Sequence, residues 1–343
     1  MPPKAKLKAR RLIRSQSYRM VASADSIILP SQITVDFVPK LIHFFKAQKT
    51  LSMQQASQLL EQGRALLETL PNVLELKVND GQRLTVLGDT HGQFFDLLHV
   101  FEVNGPPSAD NPYLVNGDFV DRGSFGSEIV FTLLAYKLAC PASVHLLRGN
   151  HECEICTLNY GFKNEVHHKY NATVYANFMH TFNALPLAAV INRKVFVVHG
   201  GLWKRKGILI DEINTINRFC QPGDEGGEAL MAQMLWSDPI ELNGLHPSLR
   251  PYGASFGPDY THAFLAANGL EFIVRSHEMQ DDGYSLTHGN QLATLFSAPG
   301  YCGDINKGAF LILSGRTCLR HFIKFASSPH PAAPDYFDLA MFL

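Results

Sequence analysis

Six cysteines in 343 residues are too few for the dense disulfide framework of a small secreted scaffold. Charge is sparse as well. Asp, Glu, Lys and Arg make up 18 % of the chain, with a formal net charge of −1. That composition excludes a disordered chain and argues against nucleic acid as the main partner. No apolar stretch approaches the roughly 18 residues needed to span a bilayer, so no membrane association is expected. An apolar signal segment at the N-terminus is missing too. So is any acid before Asp25, although Lys4, Lys6, Lys8, Arg10, Arg11, Arg14 and Arg19 precede it. Residues 1–30 therefore read as a basic, solvated arm. A nuclear localisation signal, a contact for an acidic partner and an Arg-rich transit peptide remain alternatives. A cytoplasmic or nuclear location is the expectation.

Apolar residues are plentiful, at 46 %, enough for a sizeable core. Residues 31–343 are expected to form one domain, because candidate functional residues run from Asp89 to Tyr301 without a low-complexity break. Five short apolar runs end on polar residues of one kind. Leu84–Leu87 leads into Gly88-Asp89-Thr90-His91, and Tyr113–Val115 into Asn116-Gly117-Asp118. Val144–Leu147 leads into Arg148-Gly149-Asn150-His151-Glu152, Val195–Val198 into His199, and Phe272–Val274 into Arg275-Ser276-His277. Such runs read as strands buried on both faces, with functional residues at their carboxyl ends. Asp89, His91, Asp118, Asn150, His199 and His277 offer oxygen and imidazole donors without a thiolate. That set suits Mn, Fe or Zn. It exceeds the three ligands usual for one catalytic zinc and fits two ions bridged by a carboxylate. His43, His99, His145, His246 and His330 read as ordinary core or surface residues.

Phe37, Leu41, Phe44 and Phe45 have helical spacing, and Ser52 with Gln55 reads as a capping box opening a second helix that stops before Pro71. Phe94, Leu97, Leu98 and Phe101 form a third helical stripe. Strands alternate with helices to about residue 200, and strand-rich segments are expected beyond. The class is α/β with a mixed sheet. These patterns alone do not separate a sandwich from a doubly wound sheet.

The motif set resembles the phosphoprotein phosphatase family of serine/threonine phosphatases. Leu235-Trp236-Ser237-Asp238-Pro239 and Phe296-Ser297-Ala298-Pro299-Gly300-Tyr301-Cys302 match two further signatures of that family. Within it, Gly88–Phe94, Gly117–Phe125 and the tail from Phe325 to Pro334 are most similar to the catalytic domain of the protein phosphatase 5 subfamily. The likeness runs from about Val35 to the C-terminus. It implies a calcineurin-like metallophosphoesterase fold, a central β-sandwich of mixed sheets flanked by helices. It also implies hydrolysis of phosphoserine and phosphothreonine in proteins, in a reducing compartment.

The chemistry then follows from the residues. Asp89 and His91, two apart in extended chain, would face one ion, with Asp118 bridging and Asn150, His199 and His277 on the second. Two divalent or mixed-valence ions, Mn in the protein as isolated, would acidify a bridging water and clamp an in-line displacement without a phosphoenzyme. His151 is the candidate general acid, held protonated by Asp121. Arg122 offers a fork for phosphate. The resemblance also carries phosphate-binding or cleft-lining roles onto Arg250 and Tyr301. Pro251 stands where the family usually has Gly, and Gly300 where it usually has Asn, which puts the loops around the cleft in question.

Cys153 and Cys156, without a second pair at zinc-finger spacing, read as no metal site, and a redox-sensitive role stays open. Nucleotidases and dinucleoside polyphosphate hydrolases share Asp-x-His and Gly-Asn-His-Glu. The Ser-Ala-Pro-Gly-Tyr-Cys and Trp-Ser-Asp-Pro loops favour the protein phosphatase. A non-catalytic scaffold is disfavoured because every ligand and His151 is present. Relatives of the subfamily carry tetratricopeptide repeats of 34 residues each, about three being needed for a stable array. The residues before Val35 lack that helix-pair pattern, so no repeat-mediated chaperone docking is expected; a monomer is expected as well.

Overall fold

A computed structural model describes residues 26–337. The basic arm at 1–30 lies outside the described residues except for 26–30. Of these, Leu29 is already buried, and the Ile27 carbonyl accepts from Gln55 Nε2 at 2.6 Å.

Two mixed sheets stack face to face. The six-stranded sheet runs, in spatial order, Val73–Leu76, Ala188–Ile191, Val195–Val198, Phe272–Arg275, Leu292–Leu295 and Tyr284–Thr287. The five-stranded sheet runs Leu319–Phe325, Gly308–Ser314, Arg83–Leu87, Tyr113–Val115 and Val144–Leu146. Side-chain alternation explains why the strands read as apolar throughout. Val195, Val197 and Val274 point inward to meet Leu84, Val86, Leu114 and Leu311 between the sheets. Phe196 and Val198 point outward to Trp203, Met231 and Phe264. On the other outer face, Leu87, Tyr113, Val115 and Val144 join Phe45, Leu60 and Phe131 from the helices. The central strands are thus covered twice, and the architecture is a sandwich between helical layers, not a doubly wound sheet.

Helices arise where the sequence marks them. Val38–Lys46 buries Leu41, Phe44 and Phe45. Met53–Glu68 begins at the Ser52 cap, whose hydroxyl accepts from Gln55 N while the Gln55 side chain accepts from Ser52 N. Such a box stabilises by roughly 1 kcal/mol. Phe94–Asn104 buries Phe94, Leu97, Leu98 and Phe101. Beyond residue 200 the expected strand-rich segments run from Asp238 to Phe325, and helices are interspersed with them. Helices span Ile210–Asn214, Gly226–Trp236 and Pro258–Asn268. The second of these has little polar face and opens on two glycines, so its periodicity is weak.

Strands 83–87, 113–115 and 144–146 are mutually parallel, as are 195–198, 272–275 and 292–295. Their carboxyl ends gather at one rim of the sandwich. An isolated parallel bridge between Asp89 and Phe296 ties the two sheets together there.

Candidate active site

Every residue expected in the site reaches that rim. Asp118 is central: its Oδ1 lies 3.4 Å from His199 Nε2 and its Oδ2 lies 3.6 Å from His91 Nε2. His91 Nε2 is also 3.7 Å from Asp89 Oδ2. Strand alternation does not bring Asp89 and His91 together, contrary to expectation. His91 has left the strand, with φ +37°, and a turn carries its ring back over the carboxylate. Asn150 Oδ1 lies 2.8 Å from His199 Nε2.

The imidazoles are fixed from behind. His91 Nδ1 donates to the Val120 carbonyl at 3.0 Å, and His199 Nδ1 donates to the Asn116 carbonyl at 2.8 Å. Both Nε2 lone pairs are thereby turned into the cluster, the arrangement typical of metal-binding histidines. Asp89 Oδ2 and His277 Nε2 are buried without any hydrogen-bond partner. Burial raises Asp89 to about 7, pushes Asp118 well up, and presses His91, His199 and His277 toward neutrality. Orphaned lone pairs in a dry pocket are costly unless a cation sits among them. The donor set therefore fits metal. Two groups of ligand atoms each lie within 4.8 Å of one another and share Asp118. One is Asp118, His199 and His277, as expected. The other is His91, Asp118 and His151; Asp89 belongs to neither group, its Oδ2 lying 3.7 Å from His91 Nε2.

His151 is held differently from the other histidines. Its Nδ1 lies 2.6 Å from Asp121 Oδ2, and Asp121 Oδ1 accepts from Phe162 N at 2.8 Å. Burial, with Arg122 and Arg250 nearby, presses His151 toward the neutral ring, while burial raises Asp121 to about 8. These directions run against the expectation that Asp121 holds His151 protonated.

Sequence reasoning missed the groups that hold the loops. Glu152, quoted only as part of a motif, accepts from the N–H groups of Asp118, Phe119 and Gly149 at 2.7, 2.8 and 2.9 Å. One carboxylate therefore clamps two ligand loops. These approach so closely that a Cβ on Gly149 would lie 2.2 Å from Asp118 Oδ1. Asp238 accepts from Arg250 Nε at 2.9 Å and from Arg275 Nη2 at 2.7 Å. Their position in Gly-Asn-His-Glu and Trp-Ser-Asp-Pro was the available signal. Backbone strain was invisible: Asp118, Asp121, Arg122 and His277 have φ of +50°, +71°, +67° and +71°. Non-glycine residues held in that region mark sites where function overrides local preference.

Arg122, Arg250, Tyr301, His151 and Trp236 line a cleft of about 370 Å³ over the clusters. Tyr301 packs its ring 4.9 Å from that of His91. Gly300 before it has φ +63°, a conformation that glycine and asparagine both tolerate, and Asn306 Oδ1 accepts from Tyr301 N at 2.8 Å. Glycine therefore meets the backbone demand of this turn. Pro251 leaves Arg250 oriented by Asp238. Cys153 and Cys156 are buried free thiols behind Asn150.

Residues 82–281 match the calcineurin-like phosphoesterase family. The chain belongs to that family. Members hold two divalent metals, in keeping with the paired clusters. The chain is 48 % identical over 300 residues to serine/threonine-protein phosphatase 5 of Solanum lycopersicum, covering 87 % of this chain and 53 % of the relative. It is 45 % identical over 301 residues to serine/threonine-protein phosphatase 5 of Homo sapiens, covering 88 % and 60 %. The chain thus spans little more than half the length of these relatives. A solved protein serine/threonine phosphatase from Saccharomyces cerevisiae, described as similar to human phosphatase PP5, superposes with a TM-score of 0.81 at 34 % identity. That match covers 86 % of this chain and 97 % of the other. The calcineurin-like fold expected from the motifs is therefore the fold observed.

Proposed function

We propose that the chain is a protein serine/threonine phosphatase that hydrolyses phosphoserine and phosphothreonine directly, without a phosphoenzyme. The observation that carries this reading is the hydrogen-bonded His151–Asp121 pair, placed beside the shared-carboxylate clusters in a cleft that also presents two arginines. Serine and threonine alkoxides are poor leaving groups and need a proton. His151 is the group positioned to deliver it, with Asp121 as its positioning partner. Arg122 and Arg250 would bind and orient the phosphoryl oxygens, and Tyr301 would wall the cleft beside His91. Asp89 and His91 would hold one ion and Asn150, His199 and His277 the other, with Asp118 between them. Mn, Fe or Zn would suit these donors. Two such ions supply Lewis-acid stabilisation and an acidified water for attack. Phosphoproteins are the proposed substrates. Competing turnover of a phosphoserine peptide and a dinucleoside polyphosphate tests the reading. The peptide should be hydrolysed, and a clear preference for the nucleotide would overturn it.

A further inference from the structure

The buried arginines among the described residues each make several hydrogen bonds. Arg148 binds the carbonyls of Glu152, Arg218 and Cys220, together with Asn183 Oδ1. Arg275 binds two carbonyls and the carboxylates of Glu278 and Asp238. Arg122, half-buried in the cleft, is different. Among the described residues its guanidinium makes no hydrogen bond or ion pair, and its Nε is buried without a partner. Aromatic rings hold it instead. The guanidinium carbon lies 4.1 Å from the Tyr160 ring centroid and 4.3 Å from that of Phe337. The two rings are 6.0 Å apart and inclined at 60°, so they form a V around the cation.

Phe337 comes from the C-terminal tail, more than 200 residues from Arg122, and its place is built. Asp96 accepts from Ser328 N at 2.6 Å and from His330 Nε2 at 2.7 Å, fixing the start of the tail. Ser124 Oγ donates to the Pro334 carbonyl at 2.7 Å, two residues from Arg122. Gly161, with φ +113°, clears the last step, since a Cβ there would lie 3.1 Å from Phe337 Cβ. Tyr160 also packs against His151, at 5.1 Å between rings, so one aromatic shelf serves both Arg122 and His151.

We propose that Phe337 is a positioning residue for phosphate recognition: with Tyr160 it fixes the Arg122 guanidinium in the cleft, so the C-terminal tail completes the anion-binding side of the site. Stacking fits this task better than a carboxylate would. It holds the cation without occupying its N–H donors, which stay available for phosphate, and does not neutralise the charge. An arginine held in place loses less freedom on binding than a mobile one. The proposal rests on reading Arg122 as a phosphate ligand in a phosphoesterase cleft.

The test uses the full chain loaded with metal, with p-nitrophenyl phosphate as substrate and inorganic phosphate as inhibitor. Phe337→Ala should raise KM and the phosphate inhibition constant together by about 3–10-fold, with a smaller change in kcat and unchanged metal content. Phe337→Tyr should restore both constants, and Phe337→Leu, which keeps an apolar cover without a π face, should remain impaired. In an Arg122→Ala background, Phe337→Ala should change the phosphate constant by less than about twofold. An undiminished effect in that background, or wild-type constants in Phe337→Leu, would overturn the proposal. If Phe337→Ala does not fold, the Leu and Tyr variants decide alone. Inability of the wild type to hydrolyse phosphoserine peptides, with phosphate inhibition and its coupling to Phe337 intact, would instead sink the protein phosphatase reading.

Discussion

The metal side and the phosphate side of the cleft are built by different means. On the metal side, donors sit at or just beyond the ends of parallel strands, at most 9 % exposed, with loops clamped by Glu152 and the His91 and His199 imidazoles fixed by backbone carbonyls. On the phosphate side, Arg122, Arg250 and Tyr301 stand on loops and turns, oriented by side chains from elsewhere: Phe337 and Tyr160, Asp238, and Asn306. Strand ends keep ligands in place to the tolerance that metal coordination demands. Loops supported by separate contacts give a grip that can be adjusted without disturbing the metals. The two sides should accordingly fail in different ways.

The largest effect is expected at the shared carboxylate. Asp118→Asn should lose both ions by elemental analysis, whereas Asn150→Ala, His199→Ala or His277→Ala should each lose one. Two full ions in any of those last three would remove that residue from the second cluster.

Stability of the metal-free protein should depend on pH in an unusual direction. Burial raises Asp89 to about 7, Asp121 to about 8 and Glu152 to about 7, against roughly 4 in an unfolded chain. The folded state then binds more protons than the unfolded state between those values. This contribution falls as pH rises from about 4 to 8, by several kcal/mol at about 1.4 kcal/mol per unit. Chelator-treated protein should melt at a lower temperature at pH 8 than at pH 5.5, and added Mn should remove most of the difference. A melting temperature that rises over this interval in the chelated protein would contradict the picture of a dry, uncompensated ligand cluster.

Glu152→Gln leaves one acceptor oxygen where two now bind three N–H groups. It should weaken metal affinity about 10–100-fold, the range for groups that support ligands from behind. On the other side, Asp238→Asn should leave metal content unchanged and raise KM for p-nitrophenyl phosphate by about tenfold, as expected for loss of one charge-assisted contact to Arg250. Metal loss in Asp238→Asn would blur the division between the two sides.

The same division sets what could be read from the sequence. Asp89, His91, Asp118, Asn150, His199 and His277 follow recognisable apolar runs, so strand-end logic brings them together without coordinates. The Ser52–Gln55 cap was legible for a similar reason: the chemistry is local. Glu152 and Asp238 were visible in motifs, but their partners are loops that only the fold juxtaposes. The turn at His91 was hidden because φ +37° goes against the preference of the residue that adopts it. Phe337 gave no signal, being one aromatic in a proline-containing tail whose meaning depends on a guanidinium far away in sequence. The helix Gly226–Trp236 escaped because apolar residues surround it and leave no stripe.

The central claim is that His151, steadied by Asp121, delivers a proton to the leaving group. His151→Asn, assayed at verified wild-type metal content, should lose about 10²–10⁴-fold in kcat on a phosphoserine peptide. It should lose far less on p-nitrophenyl phosphate, whose leaving group needs little protonation. Equal losses on the two substrates would contradict the claim and assign His151 to metal binding or to substrate binding instead.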